Sequence, residues 1–347
     1  MNLCYNGSEG MEHMYYESYE RRGRRDRGRK RGGSCSGWLI GMLFRLILLV
    51  LVLALLAAAA LYALPVAFLN VEPVGMNLSL TDGLPGNRVN VLLMGLDQLD
   101  NTGQRSDAMI IASVGYDGVK LTSLMRDMVV DIPGHGRQKL NAAYAIGGPE
   151  LLMRTVNQTF KLNITNYVVA DFRALVDVID ALGGVVVDVD QGELKYLNTY
   201  AAHTFRSIYS SDPDKYAHYL DSEPIYSTGT MRLNGVFATG YSRIRYSDSD
   251  YVRTSRQREV LSAMLTRFRE RWWDPRIYVR LGIALNSSLE TNLSILELIS
   301  LGEKVAISGK VDTLRLPLDG YLYDNYSTIE ITDLDVTVRE LHSFIYS

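Results

Sequence analysis

The chain has 347 residues, of which 47% are hydrophobic, and a formal net charge of −3 at neutral pH, enough for one large domain or two small ones. After residue 72 acidic residues outnumber basic ones, so the composition offers no basic excess for nucleic acid. Both cysteines, Cys4 and Cys35, precede that point, which excludes disulfides and thiolate metal sites from the rest of the chain.

The N-terminal part combines an arginine-rich tail with a long apolar run. Residues 21–31 carry eight basic groups, and residues 46–71 contain no charged side chain. As a helix that run would be about 39 Å long, against a hydrocarbon core of ~30 Å. We therefore predict a disordered basic tail at 1–37 and one transmembrane helix within 38–71. A cleaved signal peptide is the alternative, but its apolar region is normally only ~7–15 residues.

The arginine cluster predicts the orientation of this anchor, because basic flanks stay on the cytoplasmic side. The N-terminus is then cytoplasmic and the C-terminal domain extracellular. A stalk at 72–87, rich in glycine and proline, connects the anchor to a domain at 88–347.

Strand and helix patterns alternate along that domain. Strands are predicted at 88–96, on both sides of a turn at 116–118 within 107–125, at 185–189 and at 311–318. Helices are predicted at 148–160, 172–182, 253–271, near 275–286 and 294–308, and at 333–345. Residues 190–230 show no clear period and are interpreted as an irregular insertion. The pattern predicts an α/β fold, with one three-layer α/β/α domain and a mixed central sheet.

Polar residues gather at strand ends and loop starts. They are Asp97, Arg105 and Asp107; Arg126 and Asp127; Arg137, Lys139 and Asn141; Arg243 and Arg245; and Arg253, Arg256 and Gln257. If the segment TGYSRIRYS (239–247) is extended, Arg243 and Arg245 point to the same face. In the following helix Arg253, Arg256 and Gln257 share a face at i, i+3, i+4 spacing.

These residue types suit one ligand class. Charged residues at strand ends of an open α/β sheet tend to line its binding crevice. Arginine binds phosphate in bidentate fashion, and carboxylates hold a hard cation such as Mg²⁺, a combination that serves phosphoryl transfer. Each Asp–Arg pair alone could be a structural ion pair. A P-loop, a G-x-S-x-G elbow and metal-ligand spacing of the five histidines are all missing from the sequence.

The order of motifs GLD, RSDAM, RD, KLNAAYAIGG, ALGGV and YSRIR–DSD–RTSRQ resembles the LytR-CpsA-Psr family over about residues 88–265. Its members are membrane-anchored enzymes, mainly of Gram-positive bacteria, that attach cell-wall polymers to peptidoglycan. The resemblance implies that Asp97 and Asp107 hold Mg²⁺ and that Arg126, Arg243 and Arg245 bind the pyrophosphate. It also implies that Arg105, Arg253 and Gln257 complete the pocket, and that a hydrophobic tunnel receives a polyprenyl chain. Where the family usually has Ile-Pro before Arg126, this chain has Leu124-Met125.

The resemblance thus implies a phosphotransferase that moves a glycopolymer from undecaprenyl pyrophosphate to a peptidoglycan hydroxyl and releases undecaprenyl phosphate. Asp107 or Asp127 would accept the hydroxyl proton, and the sequence does not choose between them. Lys139, Asn141 and Arg256 are further candidates for substrate binding. One alternative is a type II membrane glycosyltransferase that uses DSD (248–250) as its metal motif, although the missing external cysteines argue against it. The other is a wall-polymer binding protein without turnover.

Overall fold

The computed structural model describes residues 77–96, 106–245, 250–325 and 327–347. The predicted tail and anchor lie outside these residues. Within them, every helix falls short of the length or the hydropathy that crossing a bilayer requires. Residues 73–212 and 224–347 belong to one compact unit, which contains the central sheet. Residues 213–223 are assigned to another unit.

The strands of the described chain are, in order, β1 (Val89–Leu96), β2 (Ser106–Gly115), β3 (Gly118–Leu124), β4 (Val129–Ile132), β5 (Gly136–Lys139), β6 (Asn166–Ala170), β7 (Val185–Val189), β8 (Gly229–Leu233), β9 (Leu289–Thr291), β10 (Val311–Leu316), β11 (Leu322–Asp324) and β12 (Ile329–Ile331). Six of them form the central sheet in the order β10-β3-β2-β1-β6-β9. The pairs β3–β10 and β1–β6 are parallel, and the other neighbours are antiparallel. The central sheet is therefore mixed, as predicted.

The helices are α1 (Leu140–Phe160), α2 (Phe172–Ala181), α3 (Gln191–Ser211), α4 (Pro213–Tyr216), α5 (Gly235–Ser242), α6 (Asp250–Arg271), α7 (Pro275–Ser288), α8 (Ile295–Ile307) and α9 (Leu334–Tyr346). The short α4, followed by a 3₁₀ helix at Ala217–Asp221, lies in the segment 213–223. Helix α1 bends at Gly147 and Gly148, and Gly148 takes a positive φ of 64° immediately before Pro149. That bend separates the predicted helix 148–160 from an additional N-terminal part.

Helices cover both faces of the central sheet, because successive residues of a strand point to opposite sides. Met109 and Ile111 of β2 pack in a core cluster with residues of α1 and α9. Ile110 and Ala112, which alternate with them, pack in a second cluster with residues of α6 and α8. This double coverage explains why the central parts of β1 and β2 carry apolar residues at successive positions.

The prediction of an irregular insertion at 190–230 is wrong, because α3 occupies 191–211. The helix begins with a reciprocal capping box between Asp190 and Glu193. Its buried residues include Leu197, Ala201 and Thr204. They recur at helical spacing, but since two of them are small or polar the hydropathy pattern does not reveal the helix.

The extended conformation considered for 239–247 is also wrong where the structure describes it. Residues up to Ser242 belong to α5, whose N-terminus is capped by the Asn234 side chain. Arg243 follows as the C-cap with φ −100° and ψ −8°. Arg243 and Arg245 therefore do not share the face of a strand by alternation.

One predicted strand lies outside the central sheet, and two central strands, β6 and β9, were missed. The predicted strand 185–189 exists as β7, but it pairs with β8 in a separate two-stranded sheet. The central sheet instead contains β6, whose sequence NYVVA is too short and too polar at its start to stand out.

Candidate active site

The pairing of the central strands brings several chain segments to one edge of the sheet. Strands β1 and β6 run in parallel and both end there, with Gly95 paired to Ala170. The antiparallel β2 begins at that edge, where Ser106 pairs with Leu96. Strand β3 ends beside it, with Leu124 opposite Met109. Polar residues that open β2 or follow β3 and β6 therefore meet in space although they are far apart in sequence.

Five predicted site residues form one connected network at this edge. Arg126 Nη1 donates to Asp107 Oδ1 at 2.9 Å, and Arg245 Nη2 donates to Asp107 Oδ2 at 3.0 Å. Arg126 Nε lies 3.3 Å from Asp127 Oδ2. Lys139 Nζ donates to Asp127 Oδ1 at 2.7 Å. The two carboxylates are thus held among three cationic side chains.

The electrostatics of this network keep Asp107 ionised. Burial of the carboxyl group alone would raise its pKa, but the charge and hydrogen bond of Arg126 act against burial. The charges of Arg253 and Arg245 add to the effect of Arg126, and the net result is a pKa below the ordinary value of 3.8. At neutral pH Asp107 is consequently an anion, a better ligand for a cation than an acceptor of protons.

Arg243 is positioned by an aromatic ring and a hydroxyl group. Its guanidinium carbon lies 3.8 Å from the centre of the Phe172 ring, a cation–π geometry. Its Nη1 donates to Thr204 Oγ1 at 3.0 Å. Phe172 is the first residue of α2, directly beyond the end of β6, and Thr204 belongs to α3. The planar guanidinium is thereby held in a fixed orientation.

Helix α3 also supports the neighbouring arginine, because it packs very closely on α5. A Cβ atom on Gly240 would lie 2.7 Å from the backbone nitrogen of Ala201, so only glycine fits at this crossing. The close approach brings the Tyr200 hydroxyl within 3.2 Å of the backbone nitrogen of Arg245, which donates to it. Tyr200 and Thr204 are thus supporting residues that the sequence interpretation missed. The D-x-x-E capping box at 190–193 is the signal that could have located their helix.

Arg256 faces the protein interior. Its Nε donates to Glu193 Oε1 at 2.8 Å and its Nη1 donates to the carbonyl oxygen of Ile244 at 3.1 Å. Arg256 and Glu193 side chains are only 7% and 10% exposed. Since Ile244 stands between Arg243 and Arg245, this buried pair ties the backbone of the arginine-bearing loop to α3 and α6. Substrate contact, the role predicted for Arg256, is less consistent with this placement than support of the loop.

A cavity of about 500 Å³ lies next to the charged network. Among the predicted site residues, those that line it are Asp107, Arg243, Arg245, Arg253 and Gln257. Most of the remaining wall is apolar and comes from β1, β2, β6, α2 and α6, including Leu93, Ile110, Val168, Leu175, Val178, Val260, Leu261 and Met264. The cavity therefore joins a cationic region to a hydrocarbon-like wall.

The other predicted site residues lie beside the cavity or outside the described chain. The Asn141 side chain is buried, and its backbone nitrogen donates to the carbonyl oxygen of Arg126 at 3.2 Å. Asp97 and Arg105 lie outside the described residues, as does most of the DSD segment. Met125, at the position where the family usually has proline, uses its N–H to donate to Leu316 O at 3.1 Å. That bond continues the β3–β10 pairing up to Arg126.

The fold and the site together define a mixed α/β protein with an amphiphilic cavity at the strand ends. A family model described as the LytR_cpsA_psr family matches residues 71–342. The chain therefore belongs to the LytR-CpsA-Psr family, which confirms the resemblance carried by its motifs.

Relatives with curated descriptions support this assignment. The polyisoprenyl-teichoic acid–peptidoglycan teichoic acid transferase TagU of Oceanobacillus iheyensis is 31% identical over 271 residues, 75% of this chain and 71% of TagU. The regulatory protein MsrR of Staphylococcus aureus is 30% identical over 184 residues, 51% of this chain. The match spans about half of MsrR, namely 48% of its length.

A solved structure of TagT from Bacillus subtilis has a similar fold. That structure contains bound octaprenyl pyrophosphate lipid, and its sequence is 25% identical to this chain. The similarity has a TM-score of 0.54 and covers 80% of this chain and 96% of the TagT chain.

Proposed function

We propose that this protein transfers a glycopolymer from a polyprenyl-pyrophosphate carrier to a hydroxyl group of peptidoglycan. The observation that carries the proposal is the cavity, in which Asp107, Arg243, Arg245 and Arg253 adjoin an apolar wall. A polyprenyl pyrophosphate has the matching chemistry, a long hydrocarbon chain that ends in a polyanion. The names of TagU and of the lipid-bound TagT structure support the same ligand class.

The proposed reaction forms one phosphorus–oxygen bond and breaks another. The acceptor hydroxyl attacks the phosphorus nearer the sugar, and the bridging oxygen leaves with polyprenyl phosphate. Arg126, Arg243 and Arg245 neutralise the negative charge that develops on the leaving group. The hydroxyl proton goes to a carboxylate of the charged network, for which Asp107 and Asp127 are the two candidates.

We propose Mg²⁺ as the cofactor, with Asp97 and Asp107 as its protein ligands. The ionised state of Asp107 fits a hard cation. Its oxygens each accept one arginine hydrogen bond, which leaves a second lone pair on each oxygen for a ligand. The residues that the structure describes include no cluster of three or more His, Cys, Asp or Glu side chains suited to a metal. When bound, the ion would neutralise charge on the pyrophosphate oxygens.

We further propose that the protein is a single-pass membrane protein, with the catalytic domain on the outer surface of a Gram-positive-type cell. The uncharged run 46–71 and the basic cluster 21–31 support this topology. External protease on intact cells should then remove the domain and spare the N-terminus. An N-terminus that is digested from outside would overturn the topology.

The activity is tested with the full-length protein in lipid vesicles, supplied with a polyprenyl-pyrophosphate-linked glycopolymer and peptidoglycan. We expect Mg²⁺-dependent release of polyprenyl phosphate together with polymer attachment, and loss of both in the double variant D97A/D107A. Binding without release would favour the non-catalytic wall-polymer binding protein. Transfer of single sugars from a nucleotide sugar would favour the glycosyltransferase.

A further inference from the structure

The segment around α7 presents an unusual exposed apolar surface. We define the α7 strip as Trp272, Trp273, Tyr278, Val279 and Ile283. Each of these side chains is between 49% and 71% exposed. Single exposed apolar residues are normal on protein surfaces, but five large ones within twelve positions indicate a contact surface.

Three residues of the strip lie on the amphipathic helix α7, and Trp272 and Trp273 lie in the connection between α6 and α7. Ile277 and Ala284 of α7 are buried, at 1% and 5% exposure, so the helix packs by the opposite side. At 100° per residue, Tyr278, Val279 and Ile283 fall away from these two residues and share the outward arc. Arg276 and Arg280 are also exposed, and the same spacing places both beside Ile283 at one border of that arc.

The charge around the strip is positive. Residues 267–280 contain five arginines and two acidic residues. Both acidic residues form ion pairs within the segment. Asp274 accepts hydrogen bonds from Arg271 and Arg276, and Glu270 accepts one from Arg267. The segment therefore keeps a net positive charge beside its apolar surface. A second copy of this chain would bring a second positive segment against it, which disfavours self-association.

The polar groups of two aromatic residues of the strip are hydrogen-bonded within the protein. Tyr278 donates its hydroxyl to the Trp272 carbonyl at 2.6 Å, and Trp273 Nε1 donates to the Glu270 carbonyl at 3.0 Å. Both rings thus present apolar edges while their donors are satisfied within the protein. Tryptophan, tyrosine and arginine together are the residues that concentrate at the boundary between hydrocarbon and headgroups.

We propose that the α7 strip docks on the surface of a membrane with anionic lipids, separately from the predicted anchor. Trp272, Trp273, Val279 and Ile283 enter the headgroup–acyl boundary, and the exposed Arg276 and Arg280 contact lipid phosphates. The docking site adjoins the cavity: Leu289, which follows α7, lines the cavity, and α7 packs on α2, which also lines it. This contact goes beyond the proposed transfer reaction and does not depend on it.

The test uses tryptophan fluorescence of the full-length chain in vesicles. The sequence contains three tryptophans, so W38F leaves Trp272 and Trp273 as the only ones. W38F is reconstituted in phosphatidylcholine–phosphatidylglycerol vesicles, with and without bromine on the acyl chains. We expect blue-shifted emission and at least a twofold loss of intensity in the brominated vesicles. Emission of a water-exposed indole with equal intensity in both vesicles would overturn the proposal.

Two further variants separate the membrane from a protein partner. V279S/I283S on the W38F background should lose most of the quenching, whereas Y323S, which removes an equally exposed side chain on β11, should keep it. Each variant is first checked for an unchanged melting temperature.

Replacing phosphatidylglycerol by phosphatidylcholine should weaken the quenching. Cross-linking of two strips to each other, with no lipid quenching, would instead identify a dimer surface and contradict the proposal. Because none of these readouts involves turnover, their failure is distinct from failure of the proposed function.

Discussion

Arg245 and Asp107 are 138 positions apart in sequence, yet Nη2 of the arginine lies 3.0 Å from Oδ2 of the aspartate. The contact joins the loop after α5 to the second residue of β2, at the edge of the central sheet. Arg126 reaches the other oxygen of the same carboxylate. One ionised side chain thus aligns two guanidinium groups from different elements, one of which lines the cavity.

Lysine in place of Arg243 or Arg245 should keep the positive charge but lose the bidentate hydrogen-bond geometry of the planar guanidinium group. R243K and R245K should each lower turnover of the lipid-pyrophosphate substrate by roughly 10- to 150-fold, because one charge-assisted hydrogen bond is worth ~1.5–3 kcal/mol. R243K also loses its stacking on Phe172. The matched control is R339K, at an exposed arginine of α9, with the melting temperature of every variant measured alongside. Equal activity of all three would refute the phosphate contact.

The buried pair Glu193–Arg256 should behave as a positioning pair. E193Q removes the charge of the buried carboxylate that Arg256 Nε contacts, so we expect a loss of up to roughly 3–5 kcal/mol in the free energy of unfolding. The double variant E193Q/R256Q should recover part of that loss, because it also removes the buried guanidinium charge. Chemical denaturation measures both. Additive losses in the double variant would mean that the two side chains do not interact.

Comparing turnover by R256K and R256Q would show whether Arg256 positions the loop or contacts the substrate. If Arg256 only supports the loop through Ile244, R256K should retain more turnover than R256Q, and its KM should change less than its kcat. A large rise in KM with kcat unchanged would instead place Arg256 on the substrate.

The crossing of α3 and α5 should be sensitive to a single methyl group. G240A would force the Cβ atom into the backbone of Ala201, and overpacking of this kind costs about 1–3 kcal/mol. Separation of the helices should also weaken the contacts of Tyr200 and Thr204 with Arg245 and Arg243, and so lower turnover. G282A is the control, since a Cβ atom there meets no atom within 4 Å. A fully active, equally stable G240A protein would show that the crossing does not position the arginines.

The ionisation of Asp107 predicts a defined pH dependence. Because its pKa in the folded protein lies below the ordinary value of 3.8, the carboxylate stabilises the folded state at higher pH. That contribution is lost as the pH falls through the folded-state pKa. D107N should therefore melt at a lower temperature than the parent protein, by a constant difference above about pH 5 that shrinks under more acidic conditions. A difference that grows with acidity would contradict the assignment.

Local sequence patterns sufficed where a strand or helix buries large apolar residues. The strands β1, β2 and β3 and helices such as α2 and α6 were predicted because their apolar residues recur regularly. Helix α3 was missed because small residues such as Ala201 form its buried side. Strand β6 was missed because only tertiary pairing distinguishes its five residues from a loop.

For the site too, the sequence identified some residues, while other contacts became visible only in the structure. Residue type and spacing identified Asp107, Arg126, Arg243 and Arg245, and the structure brings these four together. The extended conformation invoked for the last two was wrong. Spacing on a helix could not reveal that Arg256 turns toward Glu193, because that carboxylate comes from an element absent from the prediction. Phe172 and Thr204 support Arg243 through contacts that only the packing of α2 and α3 creates.

We propose that one cavity binds both a hydrocarbon chain and a pyrophosphate. The most direct test compares the affinity of the full-length protein for inorganic pyrophosphate, for geranyl pyrophosphate and for octaprenyl pyrophosphate in the same detergent. Each buried CH₂ group contributes ~0.8 kcal/mol, so affinity should rise at least tenfold from each ligand to the next. V178W, which places an indole in the cavity wall, should abolish the dependence on chain length at an unchanged melting temperature. Equal affinity for the three ligands would contradict the account.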